Sequence, residues 1–452
     1  MRLRAIRARL DESLFPDPPA ASSSWGRGER LLLVTSTLAL GIVLQLFRLG
    51  GSTPLHSIWA EDGQVFLQGA LDKGFWDAAF TPYGGYLVLV PRLIGEAAAL
   101  LPLRDAAATT AILAAAVVTV SGLAVWQASA GHIANPYLRG LLAAVTVLSP
   151  VAGLESIDSG AYVLWYMLFA TFWLLLWRPR SPFGTAFASL FILATALTTP
   201  GVWFFAPLAA LRTVAIRGRR DLAIVASFWI GAVAQVPVLA LNQEAVVTPQ
   251  WSADIWTDYL QRVLDGSLLG LRLGGAGWDR LGWALLVVLL AGAIAGFVLG
   301  FKRSTPRARW VAAIALLTSF VLFVVSLYQR AVATPMLWPA GMHVGNGSRY
   351  AIVPALLMIS AALVLVDSSS RRQRGPFGLS LAGVGAISVL LLSIATSFYA
   401  GDSAARGTPS WNSALDRAAS ACVADDLSTV RIPTSPPEFG VQVPCDRIAS
   451  AP

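Results

Sequence analysis

The sequence predicts an all-α polytopic membrane protein with about eleven transmembrane helices, and three observations carry that prediction. The chain is 56% hydrophobic and only 13% charged, far more apolar than a soluble domain. Its charge-free windows recur at about 20 residues, enough to cross a hydrocarbon layer of roughly 30 Å. Its formal charge of +8 is carried almost wholly by arginine, since only Lys73 and Lys302 are lysine, and the arginines gather in alternate loops. A basic balance distributed in this way reports topology. No nucleic-acid partner is expected.

Residues 1–30 carry Arg2, Arg4, Arg7 and Arg9 with Leu3, Ile6, Leu10 and Leu14 at helical spacing. That is the pattern of a short amphipathic helix on the cytoplasmic surface. The apolar run begins too late for a cleavable signal peptide, and no A-x-A site follows it. Residues 31–49 form the first span, and the positive charge before it places the N-terminus inside. The first external loop, 51–106, comes next. Within it, 86–102 is apolar but interrupted by Pro91, Arg92 and Glu96. A charge at the bilayer centre costs at least about 2.5–3.5 kcal/mol, so this stretch is expected to be an outer juxtamembrane helix. Arg92 and Glu96, four apart, are expected to pair along it.

The remaining spans are expected at 107–129, 138–153, 160–177, 183–199, 201–216, 222–242, 281–301, 309–328, 350–366 and 377–398. The loops that then become cytoplasmic hold Arg139, Arg178, Arg180, Arg212, Arg217, Arg219, Arg220, Arg303, Arg307, Arg309 and Arg371. Had 86–102 crossed, all of these would face outward, against the positive-inside rule. The transmembrane domain therefore spans 31–398 of a multi-pass plasma-membrane protein. The C-terminal segment, 399–452, is extracytoplasmic and too short to form much of a core by itself. It holds both cysteines, Cys422 and Cys445, and on an oxidising face they are expected to form a disulfide.

Polar residues on the outer side are few. The stretch WAEDGQVFLQGALDKGFWDAAFTPYGGYLVLVPR, from Trp59 to Arg92, holds Glu61, Asp62, Asp72 and Asp77 among aromatics. Glu155 and Asp158 lie in the turn between the third and fourth spans. A longer loop, 243–280, mixes acids, arginines and tryptophans, and its glycine-rich end, 266–277, reads as flexible loop because it fits no phosphate-loop pattern. The last outer segment brings Arg330, His343, Arg349 and Tyr350. Early carboxylates and late arginines suit glycosyl transfer from a lipid-phosphate sugar. The acceptor hydroxyl needs a carboxylate as general base, and the leaving polyprenyl phosphate needs guanidinium groups on its oxygens. His56 and His343 show no metal-ligand spacing, although a divalent cation could be held by oxygens alone. Glu61-Asp62-Gly63 also suits an ordinary turn, and Arg349 also suits snorkelling to headgroups.

These features resemble the GT-C class of integral membrane glycosyltransferases. The resemblance rests on the acidic first external loop (Trp59–Leu103), the turn SPVAGLESID (Ser149–Asp158) and the segment around Gly347-Ser-Arg-Tyr350. It implies that Asp62 or its neighbour Glu61 is the catalytic base, with Asp62 the first choice. Glu155 or Asp158 matches the second external acid, and Arg349 with Tyr350 matches the donor-phosphate contact; beside the resemblance, Arg330 is expected to help hold the leaving phosphate and His343 to bind substrate. The donor would be a polyprenyl-phosphate sugar, the acceptor a glycan, lipid or protein, and the product a cell-envelope glycan or glycoconjugate formed with inversion. No Trp-Trp-Asp motif is present, so en bloc transfer to asparagine is not expected. A lipid-linked glycan flippase would place charge deep inside its spans, and a polysaccharide polymerase or ligase would concentrate its chemistry in a late external loop. The acids at 61–77 favour the transferase over both.

Overall fold

The computed structural model describes residues 10, 12–18, 26–50, 53–242, 254–330, 349–370, 380–401 and 410–449. Helix α1 (Arg27–Leu46) leads to the first long loop, whose helix α2 (Leu89–Leu100) precedes α3 (Ala106–Ala128) and α4 (Pro136–Val147). Helices α5 (Val163–Leu176), α6 (Pro182–Ala196), α7 (Ala206–Val214) and α8 (Arg219–Leu241) follow. Then come α9 (Gly266–Leu281), α10 (Trp283–Arg303), α11 (Pro306–Arg330), α12 (Arg349–Ser370) and α13 (Leu381–Thr396). The chain closes with α14 (Trp411–Ala424) and a hairpin of β1 (Thr429–Pro433) and β2 (Gly440–Pro444).

Among the described residues, six helices are long and apolar enough to cross a membrane. They are Gly28–Leu46, Leu103–Gly131, Arg219–Leu241, Trp283–Arg303, Pro306–Gln329 and Arg349–Ser370. The expected spans at 183–199 and 201–216 form a pair bent by 120°, which adds a seventh span if counted as one. The break has a local cause: Thr199 is extended before Pro200, where the ring disfavours helix, and its hydroxyl accepts from the Gly201 N–H. The expected spans at 138–153, 160–177 and 377–398 contain shorter apolar helices; α4, at 12 residues, is only roughly 18 Å long.

The centre is built by α5 and α12. Helix α5, VLWYMLFATFWLLL, is apolar all round and buried on every side but for Trp165, as a helix without a polar face must be. Helix α12 is buried almost throughout. By contrast α10 exposes most of its apolar surface, including Val287 and Val288.

One end of the bundle gathers the arginine-rich loops around residues 12–18. Arg178 Nη1 donates to the Phe15 carbonyl at 3.0 Å, Arg307 Nε donates to the Glu12 carbonyl at 2.8 Å, and Arg217 pairs with Asp17 at 3.0 Å. Phe15 is fully buried beneath the guanidiniums of Arg178 and Arg212, which lie 5.8 and 5.7 Å from its ring centre. The N-terminal residues expected to form the amphipathic helix lie mostly outside the described residues.

Helix α1 carries the chain about 30 Å to the other end. There the C-terminal segment shares a core with the first long loop: Trp411, Leu415, Ile432, Val441 and Val443 pack on Ile58, Leu67, Ala98 and Leu103. Trp411 Nε1 donates to the Leu103 carbonyl at 2.7 Å. The disulfide joins Cys422 to Cys445, as compartment logic predicts. The hairpin departs from the all-α expectation; its alternation of inward Ile432, Val441 and Val443 with outward Arg431 and Gln442 is too brief to stand out among the tail's prolines.

Two further expectations are corrected. Residues 266–277 are helical, broken only at Gly270. Helix α2 is short, at 12 residues, and Arg92 forms no ion pair along it with Glu96. Instead Arg92 Nη1 donates to the Val65 carbonyl at 2.7 Å, with its guanidinium 5.3 Å from the Phe66 ring centre. Arg92 and Glu96 still lie in each other's field, which partly offsets the burial that lowers the Arg92 pKa and raises that of Glu96.

Candidate active site

Residues 62–67 wind as a π-helical segment, held between α2 and the hairpin. Gly63 makes this fit possible: a Cβ there would overlap the Thr434 methyl group. Of the two acids expected to be catalytic, Asp62 is the first residue of the segment and Glu61 stands just before it, and they face different surroundings. Asp62 is buried, with its carboxylate accepting the backbone N–H groups of Gly160 at 3.0 Å and Ala161 at 2.7 Å. Burial pushes its pKa up to about 7, against the lowering pull of the Ser159 side chain and those two N–H groups, with Glu61 adding a smaller upward push. Asp62 therefore fastens the first long loop to the turn that opens α5.

Glu61 is half-buried and faces Tyr162, whose hydroxyl lies 3.3 Å from each of its carboxylate oxygens. Tyr162 in turn accepts from Arg349 Nη1 at 2.5 Å. Arg349 is the first residue of α12. Its backbone N–H donates to Glu155 Oε1 at 3.2 Å and its Nη1 reaches Oε2 at 3.3 Å. Glu155 is buried, while the Arg349 side chain that it holds keeps 24% of its exposure. The guanidinium lies 5.0 Å from the Tyr162 ring centre and 5.2 Å from that of Tyr350. A polar chain thus runs Glu61–Tyr162–Arg349–Glu155, joining four residues from three distant parts of the sequence.

Aromatic side chains wall the Glu61 end. Tyr162 packs in a cluster with Phe66 and Val88, against which Trp59, Tyr83, Tyr86 and Trp165 also lie. Trp165 meets Tyr350 edge-on at 5.5 Å. Arg262, from a second π-helical segment (Tyr259–Asp265), lies in the field of Glu155 and Asp258, and burial lowers its pKa to about 10. π-helical turns are rare and often mark functional sites.

The structure brings together Glu61, Asp62, Glu155, Arg349 and Tyr350. Asp158 belongs to a different group: it sits at positive φ (54°) in the field of Arg48 and Tyr166. Arg48 is fully buried and donates to the carbonyls of Ser149 at 2.8 Å and Phe398 at 3.2 Å, beneath the site. The Arg330 side chain and all of His343 lie outside the described residues. Among the described residues no three His, Cys, Asp or Glu side chains converge as a cation would require.

Sequence reasoning missed Tyr162, the hub of the site. A tyrosine at the mouth of a span reads as an interfacial anchor; the available signal was its place four residues after Asp158 in an otherwise apolar segment. Arg262 was visible only as one charge among many in its loop.

No protein-family model matches the chain, and no curated protein matches it. Solved structures give weak likenesses. An Archaeoglobus fulgidus oligosaccharyltransferase in complex with zinc and sulfate aligns at TM-score 0.36 and 13% identity, covering 85% of this chain and 55% of that one. The same enzyme tethered to an acceptor peptide aligns at TM-score 0.34 and 13% identity, covering 86% and 57%. The chain thus spans little more than half the length of that enzyme. Likenesses at this level do not establish a shared fold.

Proposed function

We propose that this protein is an inverting membrane glycosyltransferase that moves a sugar from a polyprenyl phosphate to an extracytoplasmic acceptor, a glycan, lipid or protein of the cell envelope. In this reading the chain crosses the membrane eleven times, with its N-terminus cytoplasmic and its C-terminus outside. The observation that carries the proposal is the Glu61–Tyr162–Arg349–Glu155 chain, which couples a half-exposed carboxylate to a guanidinium at one end of an apolar bundle. Glu61 takes the proton from the acceptor hydroxyl, which attacks the anomeric carbon as the phosphate leaves from the opposite face. Arg349, fixed by Glu155, stabilises the charge that develops on the phosphate. Tyr350 and Tyr162 orient that guanidinium, and the surrounding tryptophans and tyrosines offer ring faces to the sugar. Asp62 positions the loop, because both of its oxygens are engaged by backbone N–H groups.

The test is transfer by the purified protein in nanodiscs, with radiolabelled polyprenyl-phosphate sugars and a cell-envelope extract as acceptor. Removing a general base typically loses about 10²–10⁴-fold in rate, and Glu61→Gln is expected to fall in that range. Arg349→Ala should be similarly impaired, chiefly in kcat. Wild-type turnover in both variants would overturn the proposal.

A further inference from the structure

Behind the segment that carries Glu61 lies a cleft of about 450 Å³, between the first outer loop and the C-terminal hairpin. Its wall side chains are Gln64, Gln68 and Asp72 from the loop, and Arg431, Glu438 and Gln442 from the hairpin. The volume falls within the range of small-molecule sites, about 300–1,000 Å³, but such sites are mostly apolar. This one has no aromatic or aliphatic side chain in its lining.

The lining is held in place from both sides. Gln68 behaves like a short extra strand: its Oε1 accepts from the Gln442 N–H at 2.6 Å, and its Nε2 donates to the Gln442 carbonyl at 3.2 Å. The same Nε2 donates to Asp72 Oδ1 at 2.8 Å. On the far wall Arg431 Nη2 donates to the carbonyls of Glu438 at 2.7 Å and Pro437 at 3.2 Å. The hairpin is also tied by the Cys422–Cys445 disulfide and by the core that it shares with the loop.

The chemistry of this lining is selective. Carboxamides donate and accept, carboxylates accept and a guanidinium donates, which together match groups that do both, namely hydroxyls. Asp72 and Glu438 outnumber Arg431 in charge, so the cleft repels phosphates and other anions. The absence of any apolar side chain argues against a prenyl chain.

We propose that this cleft is an acceptor subsite for a neutral, hydroxyl-rich glycan. The assignment rests on the glycosyl-transfer reading and gives it a substrate class: the acceptor is a carbohydrate chain, bound in part by Gln64 of the π-helical segment that directly follows Glu61. The described hairpin residues then have a function besides covering the loop.

The experiment is saturation-transfer NMR on the full chain in nanodiscs without donor, using neutral trisaccharides of glucose, mannose, galactose and arabinose. At least one is expected to bind. Gln64→Ala and Glu438→Ala are expected to weaken it by about 10-fold each, the equivalent of about 1.4 kcal/mol. Both side chains are exposed, and an unchanged melting temperature will confirm that the variants fold. An anionic sugar phosphate should not compete. If no member of the panel binds, or if both variants bind like the wild type, the subsite assignment is wrong. Binding without glycosyl transfer by the wild type would leave the cleft standing and remove the enzymatic reading. Transfer that needs Glu61, with acceptor KM unchanged in both cleft variants, would do the reverse.

Discussion

Asp62 and Glu61 are neighbours in sequence with the same chemistry, and burial separates them. Removing the Asp62 carboxylate leaves two buried N–H groups without an acceptor, a loss of about 1–3 kcal/mol for each. Its titration should also be visible in stability. An unfolded aspartate has a pKa near 3.9, whereas burial raises Asp62 to about 7 in the folded protein. Between those values the native state holds a proton that the unfolded state has released, so stability falls as pH rises from about 4 to about 7 and then levels. The stabilising contribution is complete below pH 4. Asp62→Asn, which cannot titrate, is expected to flatten that part of the pH–melting curve while retaining more transfer activity than Glu61→Gln. Parallel pH–melting curves for the variant and the wild type would refute the role assigned to burial. The acids and Arg349 were legible in the sequence because charge is so scarce on the outer side. The difference between Glu61 and Asp62 was not, since it depends on which one meets Gly160 and Ala161, about a hundred residues away.

The long apolar helices were legible from composition, because crossing a bilayer requires an uninterrupted window. The irregular segments were not. Whether 62–67 winds as α or π depends on what packs beside it, and α9 joins two helical pieces through a residue that composition marks only as glycine. Gly270 has φ 73° and ψ 174°, inside a helix that runs on to Leu281. A Cβ there would overlap the Ser397 hydroxyl and lie 2.9 Å from the Ser393 carbonyl oxygen, both at the α13 side of the interface. Gly270→Ala should therefore lower the melting temperature through backbone strain of about 1–3 kcal/mol plus the clash. Gly292 in α10 provides the contrast, with nothing within 4 Å of a Cβ added to it. Gly292→Ala should be neutral or stabilising by about 0.5–1 kcal/mol, the ordinary helix preference for alanine. Equal melting temperatures for the two variants would contradict the interface described here.

At the scale of the molecule, the arrangement is polar along the bundle. The arginine loops and residues 12–18 interlock at one end; the first long loop, the hairpin, Glu155 and Arg349 meet at the other. Sequence reasoning reached the same division from charge bias and parity, and the contacts of Phe15 and Asp17 with Arg178, Arg212 and Arg217 support the grouping independently. What charge bias adds is an expected direction: arginine-rich loops tend to stay cytoplasmic, and on the proposed topology the acid and the cleft then face outward. The native chain is well suited to testing that direction. Its two cysteines are joined to each other, so a single introduced thiol reports one position without background. Gln64 and Glu438 are exposed at the cleft end, and Arg180 and Arg219 at the arginine end. A maleimide that cannot cross membranes is expected to label Gln64→Cys and Glu438→Cys on intact cells, and Arg180→Cys and Arg219→Cys only after permeabilisation. The reverse pattern would place the Glu61 site in the cytoplasm, facing nucleotide-sugar pools, and a lipid-phosphate donor used on the outer face would no longer follow from the architecture.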